Sequence, residues 1–129
     1  MGVIKYMLDT NICIYLIRKH PPEIVKKFET FRKGEVVISA ITWAELCCGI
    51  QKDGCNIVDE LLSVLDVCPF SLEQSFMYGE LTRLFPNRKA TLDRMIAAHA
   101  LSLSITLVTN NIDDFVIYQS AGLCIENWV

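Results

Sequence analysis

Short apolar runs alternate along this chain with longer stretches whose apolar residues recur at helical spacing, and that alternation predicts the order of its elements. Val3 to Leu8 reads as a first strand and Asn11 to about Lys19 as a short helix that stops before Pro21 and Pro22. From Glu23 to Lys33, Ile24, Val25, Phe28 and Phe31 fall on one helical face, with Gly34 as the stop. "EVVIS" is a second strand. "AITWAELCCGIQK" and "NIVDELLSVLD" follow as helices broken at Asp53-Gly54, and "DVCPF" reads as a short third strand that lies at an edge or ends at Pro69, which cannot donate to a ladder. "SLEQSFMYGELTRLF" opens with Ser71 and Gln74 at capping-box spacing and runs as a helix to Pro86. After the polar loop "PNRKA" come the helix "TLDRMIAAHALSL", the strand "ITLVT" and the polar turn "NNIDDF". Strands this short and apolar, separated by helices, predict an α/β fold in which a parallel sheet is covered by helices on both faces.

Composition narrows the class. The 129 residues suit one domain with one core of ordinary size, and a content of 52% hydrophobic and 21% charged residues excludes a disordered chain. A formal net charge of −3 argues against the broad basic field of a general nucleic-acid coating protein, so any such contact is local or helped by metal. The six cysteines form no C-x-x-C pair and lie mostly in apolar segments, which favours reduced core thiols over a disulfide framework. The opening "MGVIKYMLDT" places an acid where a signal peptide would stay apolar, and no run reaches the length of a membrane span. A cytoplasmic location is the expectation.

The candidate chemistry lies in acids that interrupt apolar runs. Asp9 stands between two hydrophobic segments, where a carboxylate costs stability unless it is paired, coordinated or solvated. In open α/β sheets ligands bind beyond the carboxyl ends of the strands, the place where Asp9 and the turn Asn110, Asn111, Asp113 and Asp114 both fall. Glu45 and Asp93 occupy early turns of helices that follow a strand or a loop. Each acid also has a plainer role: Glu45 closes a capping box with Thr42, Asp93 favours a helix dipole, Asp113 and Asp114 are turn residues, and Asp9 or Asn11 caps the helix that follows. Converging, the four would repel one another, and a protein keeps such a group mainly by binding a cation or sharing a proton. Oxygen ligands without His or Cys select Mg²⁺ or Mn²⁺ over zinc. His20 and His99 form no zinc motif, and His99 in "MIAAHALSL" reads as a core histidine.

These residues resemble the PIN-domain ribonucleases, and most closely the VapC toxins of bacterial toxin–antitoxin pairs. "MLDTNICIYLI" is similar to the family's opening strand with Asp-Thr-Asn, "VVISAITWAELCCGI" to its second strand and Ser-x-x-x-x-x-Glu helix, "LDRMIAAHAL" to its Asp-x-x-Ile-Ala-Ala-His helix, and "LVTNNIDDF" to its last strand and turn. The resemblance spans nearly the whole chain, residues 1–129 as a single PIN domain with a parallel sheet of four to five strands. It implies that Asp9, Glu45, Asp93 and Asp114 are the catalytic acids and hold Mg²⁺ or Mn²⁺, with Asn111 as a helper, Asp113 a solvated neighbour, and Thr10 and Asn11 orienting Asp9. It implies a metal-dependent endoribonuclease that cuts a structured RNA, such as a tRNA or an rRNA loop, leaving a 5′-phosphate and a 3′-hydroxyl. It further implies a homodimer and a VapB-type antitoxin, through whose own domain operator DNA is bound. Where many relatives have a glycine-rich approach to the third acid, this chain has "NRKATL". Arg88, Lys89 and Arg94 give that region positive charge, either as contacts to RNA phosphates or as a solvated basic loop. Two rival classes are a catalytically idle binding module acting with the antitoxin in repression, and a metal-dependent phosphatase or receiver-like domain with the same α/β outline. The four acids count against the first; against the second, Asp9 is single and "VCPF" supplies no phosphoacceptor.

Overall fold

The computed structural model describes residues 3–49, 55–87 and 90–129. Five strands form one parallel sheet: β1 (Tyr6–Leu8), β2 (Val36–Ser39), β3 (Asp66–Cys68), β4 (Thr106–Val108) and β5 (Ile125–Glu126), in the spatial order β3-β2-β1-β4-β5. The chain winds outward from β1 through β2 to β3, then returns to place β4 on the other side of β1. The direction of winding therefore reverses between β1 and β4, and their carboxyl ends open the crevice in which α/β sheets bind ligands.

The helices are α1 (Thr10–Arg18), α2 (Pro22–Glu29), α3 (Ala40–Gly49), α4 (Cys55–Val64), α5 (Leu72–Leu84), α6 (Thr91–Leu103) and α7 (Ile112–Phe115), the last running into a 3-10 segment, Val116–Ala121. Side chains of a strand alternate between faces, and here both faces are buried. Met7, Val37 and Leu107 point into one core with Leu81, Ile96, Ala97, Phe115 and Tyr118. Leu8, Val36, Ile38 and Val108 point into the other with Ile12, Ile24, Leu46, Leu61 and Trp128. The predicted two-faced parallel sheet is what forms.

Four details differ from the sequence reading. The helix expected over Glu23–Lys33 ends at Glu29, because Phe31 leaves it to stack on Trp128, ring centroids 5.4 Å apart. Gly34, at φ 97°, serves the turn into β2 instead of stopping a helix. The expected turn "NNIDDF" contains α7, and the C-terminal "IE" adds an edge strand beside β4 through Leu107↔Ile125. No described helix is long and apolar enough to cross a membrane.

Candidate functional site

Asp9 leaves β1 with its backbone N–H donating to Val108 O at 2.9 Å, which fixes it beside the end of β4. Its φ −72°, ψ 162° make it the N-cap of α1, and Oδ1 accepts from the Thr10 N–H at 2.8 Å. Oδ2 accepts from the Thr109 hydroxyl at 2.9 Å across the β1–β4 crevice. The capping role and the strand-end role are thus the same geometry. Both carboxylate oxygens are engaged once, and each keeps a further lone pair to offer.

Thr10 and Thr109 each make a second link. The Thr10 hydroxyl donates to Glu45 Oε1 at 2.8 Å, joining α1 to α3. The Thr109 Oγ1 accepts from the Asn111 N–H at 2.9 Å, and Asn111 O accepts from the Asp114 N–H at 3.1 Å, which turns the chain from β4 into α7. Asp9, Glu45 and the Asp114 turn are held by one set of hydroxyl and backbone bonds. Thr109 was not among the residues singled out in sequence, since threonine in a strand has an ordinary β-propensity explanation.

Asp9 is 4% exposed, and burial pushes its carboxyl above the usual range. The bonds from Thr109 and Thr10 favour the anion, while the charges of Glu45 and Asp114 oppose it. Both acids therefore lie within electrostatic reach of Asp9. Asp93 is half-buried in the first turn of α6, and α6 packs against both α3 and α7. Among the described residues no three acids stand close enough to form a preassembled metal cage. The donor set nonetheless fits Mg²⁺ or Mn²⁺: carboxylate oxygens, no His or Cys among them, and an acid whose charged form is disfavoured until a cation arrives. Mg²⁺ keeps much of its water and takes only one or two carboxylates directly, so no cage is required.

The remaining predicted residues are placed as follows. Asn11 is the second residue of α1 and half-buried; Asn111 and Asp113 are exposed. Arg88 and Lys89 lie outside the described residues. Arg94 is not the solvated cation expected of a basic loop. It is 4% exposed, and its guanidinium donates to Phe85 O at 2.8 Å and Thr82 Oγ1 at 3.1 Å, with the Tyr118 hydroxyl at 3.4 Å. The reason is helical phase: Arg94 shares a face with Ala97 and Ala98, which are fully buried, so its side chain enters the protein toward α5.

The PIN domain family matches residues 6–119. Ribonuclease VapC2 of Rickettsia felis is 39% identical to this chain over 132 residues, spanning 95% of this chain and 97% of that protein. The tRNA(fMet)-specific endonuclease VapC of Salmonella typhimurium is 33% identical over 135 residues, spanning 98% of this chain and 99% of that protein. Among solved structures, VapBC2 from Rickettsia felis bound to a DNA fragment from its promoter superposes with a TM-score of 0.85 at 36% identity, covering 98% of this chain and 100% of that one. DNA-bound VapBC from Salmonella typhimurium gives a TM-score of 0.86 at 30% identity, covering 98% and 99%.

Proposed function

This chain belongs to the PIN-domain family, and from that premise we propose that it is a VapC-type toxin, an endoribonuclease that depends on Mg²⁺ or Mn²⁺ and is neutralised by a VapB-type antitoxin. The observation that carries the reading is the setting of Asp9, a buried acid at the point where the winding reverses, under the charges of Glu45 and Asp114 and oriented by neutral donors. Relatives of nearly equal length are named as ribonucleases or tRNA endonucleases, which supports RNA as the substrate. The solved relatives are toxin–antitoxin complexes, some on DNA, which supports an antitoxin partner with operator binding through that partner.

Asp9, Glu45, Asp93 and Asp114 are the residues we assign to the ions. A divalent ion held there supplies activation of water and neutralisation of charge on the scissile phosphate. The chain's own residues do the rest. Thr109 and Thr10 fix the rotation of the Asp9 carboxylate, and Thr10 fixes Glu45 in the same stroke. Arg88 and Lys89 are assigned to RNA phosphates; Arg94 is not, because its guanidinium is committed to the interior. No nucleophilic side chain is required, and the products are a 5′-phosphate and a 3′-hydroxyl.

The protein acts as a single domain of residues 1–129, paired with a second copy, in the cytoplasm, where its free thiols and its RNA are compatible with a reducing milieu. An apolar groove lined by Leu16, Ile17, Val25, Phe28, Leu61 and Val64, with Lys19 and Glu60 beside them, suits an amphipathic antitoxin helix.

The test is incubation of the purified, antitoxin-free chain with total bacterial RNA, with Mg²⁺ or Mn²⁺, with chelator, and with Asp9→Asn as control. Discrete fragments that need both metal and Asp9 are expected. Intact RNA after exposure to a folded, Mn²⁺-loaded chain would move the protein to the class of binding modules.

A further inference from the structure

His99 lies in the middle of α6 and is fully buried, as is Ser39 at the end of β2. His99 Nδ1 and Ser39 Oγ are 2.7 Å apart. Ser39 Oγ also accepts from the Ile41 N–H at 3.0 Å, so the same oxygen secures the first turn of α3. Ser39 Oγ keeps its proton and a second lone pair for His99 Nδ1, so the bond forms with either neutral tautomer of the ring. Burial pushes the His99 pKa down to about 4, in agreement with a neutral ring at physiological pH.

Two features set this contact apart from ordinary core packing. Nε2 is buried without a hydrogen-bond partner among the described residues, beside the Phe70 ring at a centroid distance of 5.6 Å. An unpaired buried polar atom costs on the order of 1–3 kcal/mol, a cost that an aliphatic side chain of similar volume avoids. A ring that weakens its own surroundings is justified by the bond at its other nitrogen. That bond also lies in an informative place. Thr10 ties Glu45 to α1, and Thr109 ties Asp9 to the Asp114 turn. His99–Ser39 ties α6, whose first turn carries Asp93, to the start of α3, which carries Glu45.

We infer that His99 and Ser39 are positioning residues for the metal site, a neutral strut that sets the helix bearing Asp93 against the helix bearing Glu45. Neither touches the ion or the RNA. Their effect is on the spacing of the two acids and therefore on cation affinity. The inference rests on the proposed metal-dependent function and concerns residues that function does not itself require.

The experiment is Mn²⁺ titration by calorimetry on the full chain, with thermal unfolding in EDTA recorded for each variant. Ser39→Ala and His99→Leu should each weaken Mn²⁺ binding about tenfold, the lower end of the range for residues that orient metal ligands. Their combination should lose little more than either alone, because both break one bond. His99→Asn and Ser39→Thr, which keep a hydrogen-bonding atom in place, should stay within about threefold of wild type. His99→Leu should unfold no earlier than wild type in EDTA, separating the loss of affinity from loss of stability. If His99→Leu does not fold, Ser39→Ala decides alone. Wild-type affinity in a folded Ser39→Ala, or a double variant showing the full sum of the two losses, overturns the strut. Absence of Mn²⁺ binding by the wild-type chain is a different result: it overturns the metal-dependent function, and the strut with it.

Discussion

Replacing Thr109 by valine tests the architecture of the site with little change of shape. Thr109 is fully buried, and its hydroxyl donates to Asp9 Oδ2 and accepts from the Asn111 N–H, each at 2.9 Å. Valine keeps the β-branched shape and removes both bonds. A hydrogen bond to a charged group contributes about 1.5–3 kcal/mol, and an orphaned backbone N–H adds about 1 kcal/mol where water reaches it in part. The expected destabilisation of the metal-free protein at pH 7 is therefore about 2–4 kcal/mol. For a chain of this size that is a fall in Tm of roughly 6–15 °C. Thr109→Ser keeps the hydroxyl and loses one methyl, at about 1 kcal/mol.

The same variant separates a charge-specific bond from a generic one. In an Asp9→Asn background the acceptor is neutral, so the valine penalty should shrink by about 1 kcal/mol or more, a coupling readable from a double-mutant cycle by urea unfolding. It should shrink as well toward acid pH, where Asp9 takes up its proton. A valine variant no less stable than the serine one, or a penalty unchanged in the Asp9→Asn background, would show that the hydroxyl does not support the Asp9 charge.

Burial raises the Asp9 pKa, so its contribution to stability is full below the unfolded-chain value of about 3.9 and is lost as pH rises through the raised value. Asp9→Asn should accordingly abolish cleavage while making the metal-free protein more stable than wild type at pH 7, with the difference vanishing toward acid in thermal melts under EDTA. Arg94→Met should cost about 2–4 kcal/mol in urea unfolding, since Phe85 O and Thr82 lose a charged donor. Arg94→Lys should recover little of it, because an ammonium cannot serve both acceptors as the guanidinium fork does; an unchanged midpoint in both would return Arg94 to a role on the surface. Asp114→Asn should cut the cleavage rate at least tenfold with Asp113→Asn nearly silent, judged by initial rates on RNA, and the reverse order would show the fourth acid to be Asp113. Val64→Asp, which puts a charge in the apolar groove, should weaken antitoxin binding at least tenfold by calorimetry and leave cleavage intact.

Much of this site is legible in the sequence because charge interrupts hydrophobic pattern. Asp9 is visible for that reason, and the short strands around it are apolar enough to predict burial on both faces. What the sequence conceals depends on adjacency across the sheet. Thr109 acquires its role only because β4 returns to lie beside β1, a pairing no local pattern encodes. β5 is two residues long, too short for any periodicity to register. Arg94 is different, because its signal was present: it shares a face with the alanines of "MIAAHAL", and helical phase outweighs nearness to a basic loop.

The choice of partners around the acids bears on what the site is for. Among the described residues, Asp9 is met by a backbone N–H and a hydroxyl, and Glu45 by a hydroxyl; no lysine or arginine pairs with either. A cationic side chain would have relieved the burial of Asp9 and the repulsion from Glu45, and would have competed with any ion for the same oxygens. A neutral donor does something else: it fixes the rotation of a carboxylate and leaves its charge largely uncompensated. The chain thus keeps Asp9 and Glu45 oriented by neutral donors alone, a state that costs stability and favours whatever positive charge enters. On the proposed function a divalent ion is one such charge in the active toxin, and the resemblance to the VapC toxins implies a second, a basic side chain that the antitoxin donates near the same acids in the silent one. Mn²⁺ affinity should then fall when the antitoxin is bound, and antitoxin affinity should fall by the same factor when Mn²⁺ is added, because coupling between two ligands is reciprocal. Calorimetric titrations in both orders check this. Unequal factors would mean a third binding event, and no coupling at all would mean that the antitoxin silences the site without entering its field.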